Sequence, residues 1–285
     1  MDSKDLIVQA SEDFNSEPTA LPPAAVLGNI FIFMFAGHEA SANTLNFIML
    51  LLACHPDVQK LLQADVDRIL GLESPNDWSY EEHYSALSTS YVGAVIMEAS
   101  RLFTVLPFIP KLSPVTPHNL KLADTQYVIP SETLILINTS AIHRHPSYWP
   151  LPSEKPLDSA FRVPNPVDSF NPGHWIREDA KDTSNGGFLQ PEPGTFIPFS
   201  DGSRGCLGKG FALVELVAIV ARIFKEYNVE LMIDYGPDSS PAERSMKWSK
   251  ARTEASRELY EGVEFKMSLR LTGKVPVRFV KRAKK

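Results

Sequence analysis

The segment Phe199-Ser200-Asp201-Gly202-Ser203-Arg204-Gly205-Cys206-Leu207-Gly208 presents one cysteine from a glycine-punctuated loop, directly ahead of an apolar-periodic run. Glycines open backbone conformations closed to other residues and let a flat ligand approach closely. A helix is expected from about Leu207 to Tyr227, which puts Cys206 at its N-terminus. There the helix dipole and free N–H groups stabilise a thiolate, and Arg204 adds a positive charge. Such a thiolate could be a nucleophile, a redox thiol or a metal ligand. The plain structural alternative is a buried Cys in a Gly turn.

Upstream of the loop the pattern is helical first and irregular later. Pro22-Pro23 suits the first turn of a helix, and that helix is expected over Ala24–Cys54, about 45 Å long. A second helix follows Pro56 and runs through Val58, Leu61, Leu62, Val66 and Leu70 at helical spacing, ended by Gly71. A third is expected from about Ser88 to Phe103. Pro107, Pro110, Pro114 and Pro117 then forbid further helix. Leu120–Leu122, Tyr127–Ile129 and Thr133–Ile137 read as short strands. Residues 144–198 are rich in Pro, Ser and Gly but carry Trp149, Phe161, Phe170, Trp175, Phe188 and Phe196, so an ordered, packed coil is expected. Ser239–Glu258 reads as a polar, exposed excursion. Met267–Val280 reads as a hairpin turning at Thr272-Gly273-Lys274. The expected fold class is mainly α with a small β portion.

Composition narrows the function. The chain has 285 residues, 44% hydrophobic and 22% charged, with 28 Lys+Arg against 34 Asp+Glu and a formal charge of −6. That is globular and gives no overall basic field for nucleic acid. Two cysteines, Cys54 and Cys206, make no disulfide scaffold, which fits a reducing compartment. Residues 1–20 form a polar leader without the pattern of a targeting signal. Ile30–Gly37 is apolar on every side, but His38, Glu39, Ser41, Asn43 and Asn46 follow. An uninterrupted apolar run of about 18 residues is absent. A protein-buried helix with a working polar patch is therefore expected, and no membrane span.

The Cys segment matches Phe-x-x-Gly-x-Arg-x-Cys-x-Gly and so resembles the haem-binding loop of the cytochromes P450. Five fixed positions match by chance on the order of 3 × 10⁻⁷ per window, at average residue usage. The resemblance implies haem as cofactor. It makes Cys206 the axial thiolate ligand of the iron, Arg204 a propionate partner and Phe199 the aromatic beside the sulfur. Gly202 and Gly208 shape the loop. Three further motifs stand in the family's order. Glu98-Ala99-Ser100-Arg101 resembles its structural Glu-x-x-Arg ion pair. Phe170-Asn171-Pro172-Gly173-His174-Trp175 aligns with the motif whose Arg completes that network, but has His174 in the Arg position. A pair less firmly tied to the coil is expected. Ala36-Gly37-His38-Glu39-Ala40-Ser41 resembles the oxygen-activation motif. Glu39 takes the acid position and Gly37 lets the helix open over the haem. Ala40 lacks the usual hydroxyl, and Ser41 lies about 100° further round. Lys111 stands as a second propionate contact. His143-Arg144-His145-Pro146 and Trp149 resemble the approach to the His174 motif. As a metal pair, His143 and His145 are weak without further ligands, and a packed or exposed coil is the better reading.

By the same resemblance the expected activity is that of a haem-thiolate monooxygenase. It inserts one oxygen atom from O2 into an apolar small molecule, with electrons from an NADPH-dependent reductase. Val105, Leu106, Phe108 and Ile109 offer an apolar lining. The wording is similar to fungal members, which points to secondary metabolism. The family's helical portion ahead of the long helix has no counterpart, so residues 21–285 resemble only the C-terminal part. An intracellular location is expected; family members are typically anchored at the endoplasmic reticulum, and the anchor is expected to be absent here. Phe31, Phe33, Phe35, Ile48 and Leu51 lie on different sides of the long helix, so some are expected to face water. The rival readings are a truncated, non-catalytic remnant with weak or no haem binding, and a cysteine-nucleophile hydrolase.

Overall fold

The computed structural model describes residues 21–149, 165–176 and 187–283; the polar leader and Phe161 lie outside them. Contacts divide the chain into two compact units, Met1–Ala42 and Asn43–Lys285. Helix α1, Pro23–Cys54, is continuous through the boundary. It starts with Pro23 in the first turn, where Pro22 O accepts the Ala25 and Val26 N–H groups. The chain is helical straight through Gly37, so the expected opening there is not present.

The two parts of α1 differ in burial. In the first unit Leu27, Ile30, Phe31, Ile32, Phe33, Met34 and Phe35 are all exposed, Phe31 at 68%. Phe31 and Phe35, one turn apart, stack on each other at 5.9 Å. This corrects the expectation of a helix buried in protein along its length. By length and composition alone, α1 is apolar enough to cross a membrane, so the expected absence of such a segment finds no support here. In the second unit Phe47, Ile48, Leu50, Leu51, Leu52, Ala53 and Cys54 are buried. Of the five positions flagged in the sequence, Phe31, Phe33 and Phe35 face water and Ile48 and Leu51 do not.

The second unit is built on helices α2 (Pro56–Leu70), α3 (Tyr80–Ser88), α4 (Tyr91–Leu102) and α6 (Lys209–Glu226). Val58, Leu62, Val66 and Leu70 form the buried stripe of α2. Val92, Val95, Ile96, Ala99 and Leu102 of α4 meet Leu216, Val217, Val220, Ala221 and Phe224 of α6 in the same core. The helix expected over about Ser88–Phe103 is α4, and α3 is an additional helix ahead of it. Ser79 caps α3 by accepting the Glu82 N–H, and Ser90 caps α4 by accepting the Val92 N–H. Each cap satisfies one orphan donor at a helix start.

Among the described residues, four two-stranded antiparallel sheets complete the unit. Strand β1 (Phe108–Leu112) pairs with β4 (Leu134–Asn138), and β2 (His118–Leu122) pairs with β3 (Thr125–Ile129). A short helix α5, Thr139–Ile142, follows β4. Strand β5 (Tyr227–Leu231) follows α6 directly, and α7 (Pro241–Glu261) leads into β6 (Val263–Phe265) and β7 (Leu269–Leu271). The last strand, β8 (Val277–Lys281), pairs with β5, not with β7. The expected hairpin at Thr272–Lys274 is therefore not formed. Buried Val229 and Leu231 and the Arg278–Glu230 pair at 2.8 Å set the long-range register instead.

The expected excursion at Ser239–Glu258 is also corrected, because it is the 21-residue helix α7. Ser240 and Glu243 form a reciprocal capping box at its start. Its inner face buries Arg252, Ala255, Ser256 and Leu259. Arg252 Nε donates to Cys54 O at 2.7 Å, and its guanidinium lies over the Trp248 ring at 4.9 Å. The last turn of α1 has no basic residue of its own, so Arg252 brings the cation that a helix C-terminus favours.

Candidate functional site

The Cys206 loop leaves the coil at Phe199 and closes on itself before α6. Cys206 N–H donates to Phe199 O at 2.9 Å and Gly205 N–H to Gly202 O at 3.0 Å. Gly202 has φ +72° and Ser200 φ +60°, so the turn uses two left-handed positions. Gly202 meets this without cost. Gly208 is the N-cap of α6, and a side chain placed there would stand 3.9 Å from Cys206 Sγ. The Cys206 thiol is exposed. Leu207 and Phe211 flank it at 87% and 76% exposure. Arg204 is exposed on the same loop, Phe199 is half-buried behind it, and Lys111 is half-buried on β1. Among the described residues neither Arg204 nor Lys111 makes an ion pair.

This donor set fits a haem. A soft thiolate suits iron, the apolar Leu207 and Phe211 suit a flat macrocycle, and two uncommitted cations suit its carboxylates. Among the described residues no hydrogen bond joins Cys206 to a histidine, the pairing a cysteine hydrolase needs. No group of three potential metal-ligating side chains occurs among them either.

Glu98, Arg101 and His174 converge, as the motifs predict. Glu98 and Arg101 are buried on α4. Arg101 Nε and Nη2 donate to the two Glu98 oxygens, each at 2.8 Å. Asn171 N–H and Trp175 Nε1 also donate to Glu98, both at 3.0 Å. His174 Nε2 lies 3.1 Å from Glu98 Oε2, within ion-pair distance but without hydrogen-bond alignment. Arg101 further donates to His143 O at 3.0 Å and Val167 O at 3.1 Å. The pair is tied to the coil chiefly by Arg101, Asn171 and Trp175, while His174 adds an ion-pair contact without a hydrogen bond. Burial alone would raise the Glu98 carboxyl. The Arg101 and His174 charges and the hydrogen bonds the carboxylate accepts together outweigh that and hold it far below the carboxylate range.

The network spreads to Arg144 and Trp149, which the sequence named, and to Asp168 and Tyr260, which it did not. Arg144 pairs with Asp168 at 2.7 Å and donates to Leu102 O at the end of α4. Tyr260 of α7 donates to Asp168 O at 2.6 Å. Trp149 lies against Trp175 at 5.4 Å and under Arg101 at 5.3 Å. His143 is buried and His145 exposed, so the His-x-His is packed coil on one side and surface on the other. The His143-Arg144-His145-Pro146 sequence carries no local signal for these contacts, because their partners are distant in the chain.

Glu39 and Ser41 are half-buried on α1 in the first unit. Lys111 follows Pro110 in strand β1, which the surrounding prolines mask in the sequence.

Comparison with known proteins places these features. The family profile for cytochrome P450 matches residues 1–250. A cytochrome P450 monooxygenase of Arthrobotrys oligospora is 33% identical over 214 residues, which is 74% of this chain and 36% of that protein. Mouse cytochrome P450 3A13 is 29% identical over 211 residues, 74% of this chain and 35% of the relative. Cytochrome P450 monooxygenase 124 of Postia placenta is 29% identical over 231 residues, 79% of this chain and 38% of the relative. The chain thus spans little more than a third of the length of these relatives.

Proposed function

Because this chain belongs to the cytochrome P450 family, we propose that it serves a haem-thiolate monooxygenase reaction. One atom of dioxygen enters an apolar small molecule, and an NADPH-dependent reductase supplies the electrons. The observation that carries the reading is the exposed Cys206 thiol just ahead of α6, followed by the exposed Leu207 and Phe211. Haem, when bound, supplies the oxygen chemistry, and a thiolate ligand favours O–O cleavage.

The chain's own residues have separate tasks. Cys206 would hold the iron through its sulfur, at the N-terminal end of α6. Arg204 and Lys111 would each hold a carboxylate of the macrocycle. Phe199, Gly202 and Gly208 keep the loop closed and narrow beside the sulfur. Glu98, Arg101 and His174 fix the coil that leads into it. By motif, Glu39 is the proton-delivering acid, with Ser41 the nearest hydroxyl and Ala40 leaving the usual alcohol position empty of one. The apolar residues Val105, Leu106, Phe108 and Ile109 favour an apolar substrate.

The second reading is a non-catalytic remnant. It is favoured by the exposed apolar run Leu27–Phe35. The absorption spectrum of the reduced, CO-treated chain decides between them. A thiolate-type red-shifted Soret band that Cys206→Ser abolishes supports the first reading. No haem uptake supports the second. A spectrum unchanged by Cys206→Ser overturns the assignment of the ligand.

A further inference from the structure

His143 follows α5 and is fully buried. It meets two parts of the molecule that are far apart in sequence. Its carbonyl accepts Arg101 Nη1 at 3.0 Å, and its ring Nε2 accepts the Ile197 N–H at 2.9 Å. The ring lies 5.1 Å from that of Phe196. A backbone N–H can only donate, so Nε2 carries the lone pair and Nδ1 the proton of the neutral ring. Nδ1 is buried without a hydrogen-bond partner. The Ile197 contact alone therefore sets the tautomer.

Ile197 stands two residues before Phe199, whose carbonyl accepts the Cys206 N–H. Ile197 O also accepts the Ser200 N–H at 3.0 Å, which starts the turn. One imidazole thus separates the buried Glu98–Arg101 pair from the peptide that begins the Cys206 loop. A second tie runs alongside, from Trp149 Nε1 to Thr195 O at 3.3 Å. It holds the coil two residues earlier and leaves Ile197 to His143.

We propose that His143 is the positioning residue of the Cys206 loop, its imidazole accepting the Ile197 N–H so that the Glu98–Arg101 network fixes where the loop begins. The consequence for iron ligation rests on the reading of Cys206 given above; the link from His143 to the loop does not.

Three variants separate an acceptor from a mere filler. His143→Gln keeps an amide acceptor at about the reach of Nε2. His143→Phe fills the space without an acceptor. His143→Asn has an acceptor that ends near the Nδ1 position and falls short of Ile197. Hydrogen–deuterium exchange on the haem-free chain is read for peptides spanning 196–206, with 91–102 as the internal reference. His143→Phe and His143→Asn are expected to speed exchange in 196–206 about tenfold, the loss of one buried hydrogen bond, with 91–102 unchanged. His143→Gln is expected to exchange at the wild-type rate. Equal exchange in all four proteins, or Gln behaving as Phe, overturns the proposal. Should His143→Phe fail to fold, the Gln–Asn comparison gives the same answer. Haem titration of the same set then reads the consequence, with retention lost in Phe and Asn and restored in Gln. A wild-type chain that takes up no haem sinks the monooxygenase reading, while the exchange result still decides the role of His143.

Discussion

Replacing Glu98 by Gln keeps the shape of a buried side chain and removes its charge. Arg101, at 2% exposure, is left inside the protein without its counter-ion. The Gln NH2 also turns a donor toward donors. If it takes the Oε2 place it faces Arg101 Nε, Trp175 Nε1 and the His174 ring; in the Oε1 place it faces Arg101 Nη2 and Asn171 N–H. Breaking a buried pair from one side costs about 3–5 kcal/mol. For a protein of this size that lowers Tm by about 10 °C. The assay is urea unfolding followed by tryptophan fluorescence, since Trp175 sits on the lost carboxylate. The pH dependence gives a second check. The folded Glu98 carboxyl is held far below its usual range, so its contribution is present above the unfolded value and lost as pH falls into the acid range. Glu98→Gln removes that acid-labile part. A variant within about 1 kcal/mol of wild type at neutral pH, less than a single buried pair is worth, refutes the claim that this pair organises the coil.

Three further outcomes are expected. Arg252→Met removes the cation and donor at the α1 C-terminus and lowers stability by about 2 kcal/mol, measured by the shift in urea midpoint; an unchanged midpoint refutes the capping role. Burial, with the Arg101 and Arg144 charges, pushes the His143 ring down to about 4. The unfolded chain therefore takes up a proton that the folded chain refuses, and stability falls as pH drops from about 6.5 toward 4, by about 3 kcal/mol in all. The difference between wild type and His143→Gln across that range reads this component, and parallel curves refute it. In the haem-loaded chain Ala40→Thr is expected to lower the peroxide released per oxygen consumed; unchanged coupling counts against the role given to the Glu39 motif.

The helices with a plain apolar stripe were legible residue by residue: α1, α2, α4 and α6 fall within two or three residues of their expected bounds. Two helices were not, although both carry a local start signal. Ser79-x-x-Glu82 and Ser240-x-x-Glu243 are capping-box sequences, and both serines cap helices. In α7 the outward face is charged and the inner face includes Arg252 and Ser256, so apolar periodicity alone misses it. The β5–β8 pairing could not be read because its partners are separated by the whole of α7, and nothing local to Val277–Lys281 names Tyr227–Leu231. The Cys206 loop and the Glu98–Arg101 pair were legible through resemblance to the family's motifs. The wider network was not, since Arg144, Asp168, Tyr260 and Ile197 meet through tertiary packing.

The unequal burial of the two cysteines makes the haem-free chain a self-reporting molecule. Cys54 is sealed in the core at the end of α1, where burial pushes its thiol up to about 12. Cys206 faces solvent. A maleimide dye therefore attaches at a single address in the native fold and at a second only after the core has opened. The ratio of singly to doubly tagged chains counts intact molecules directly, with no engineered label.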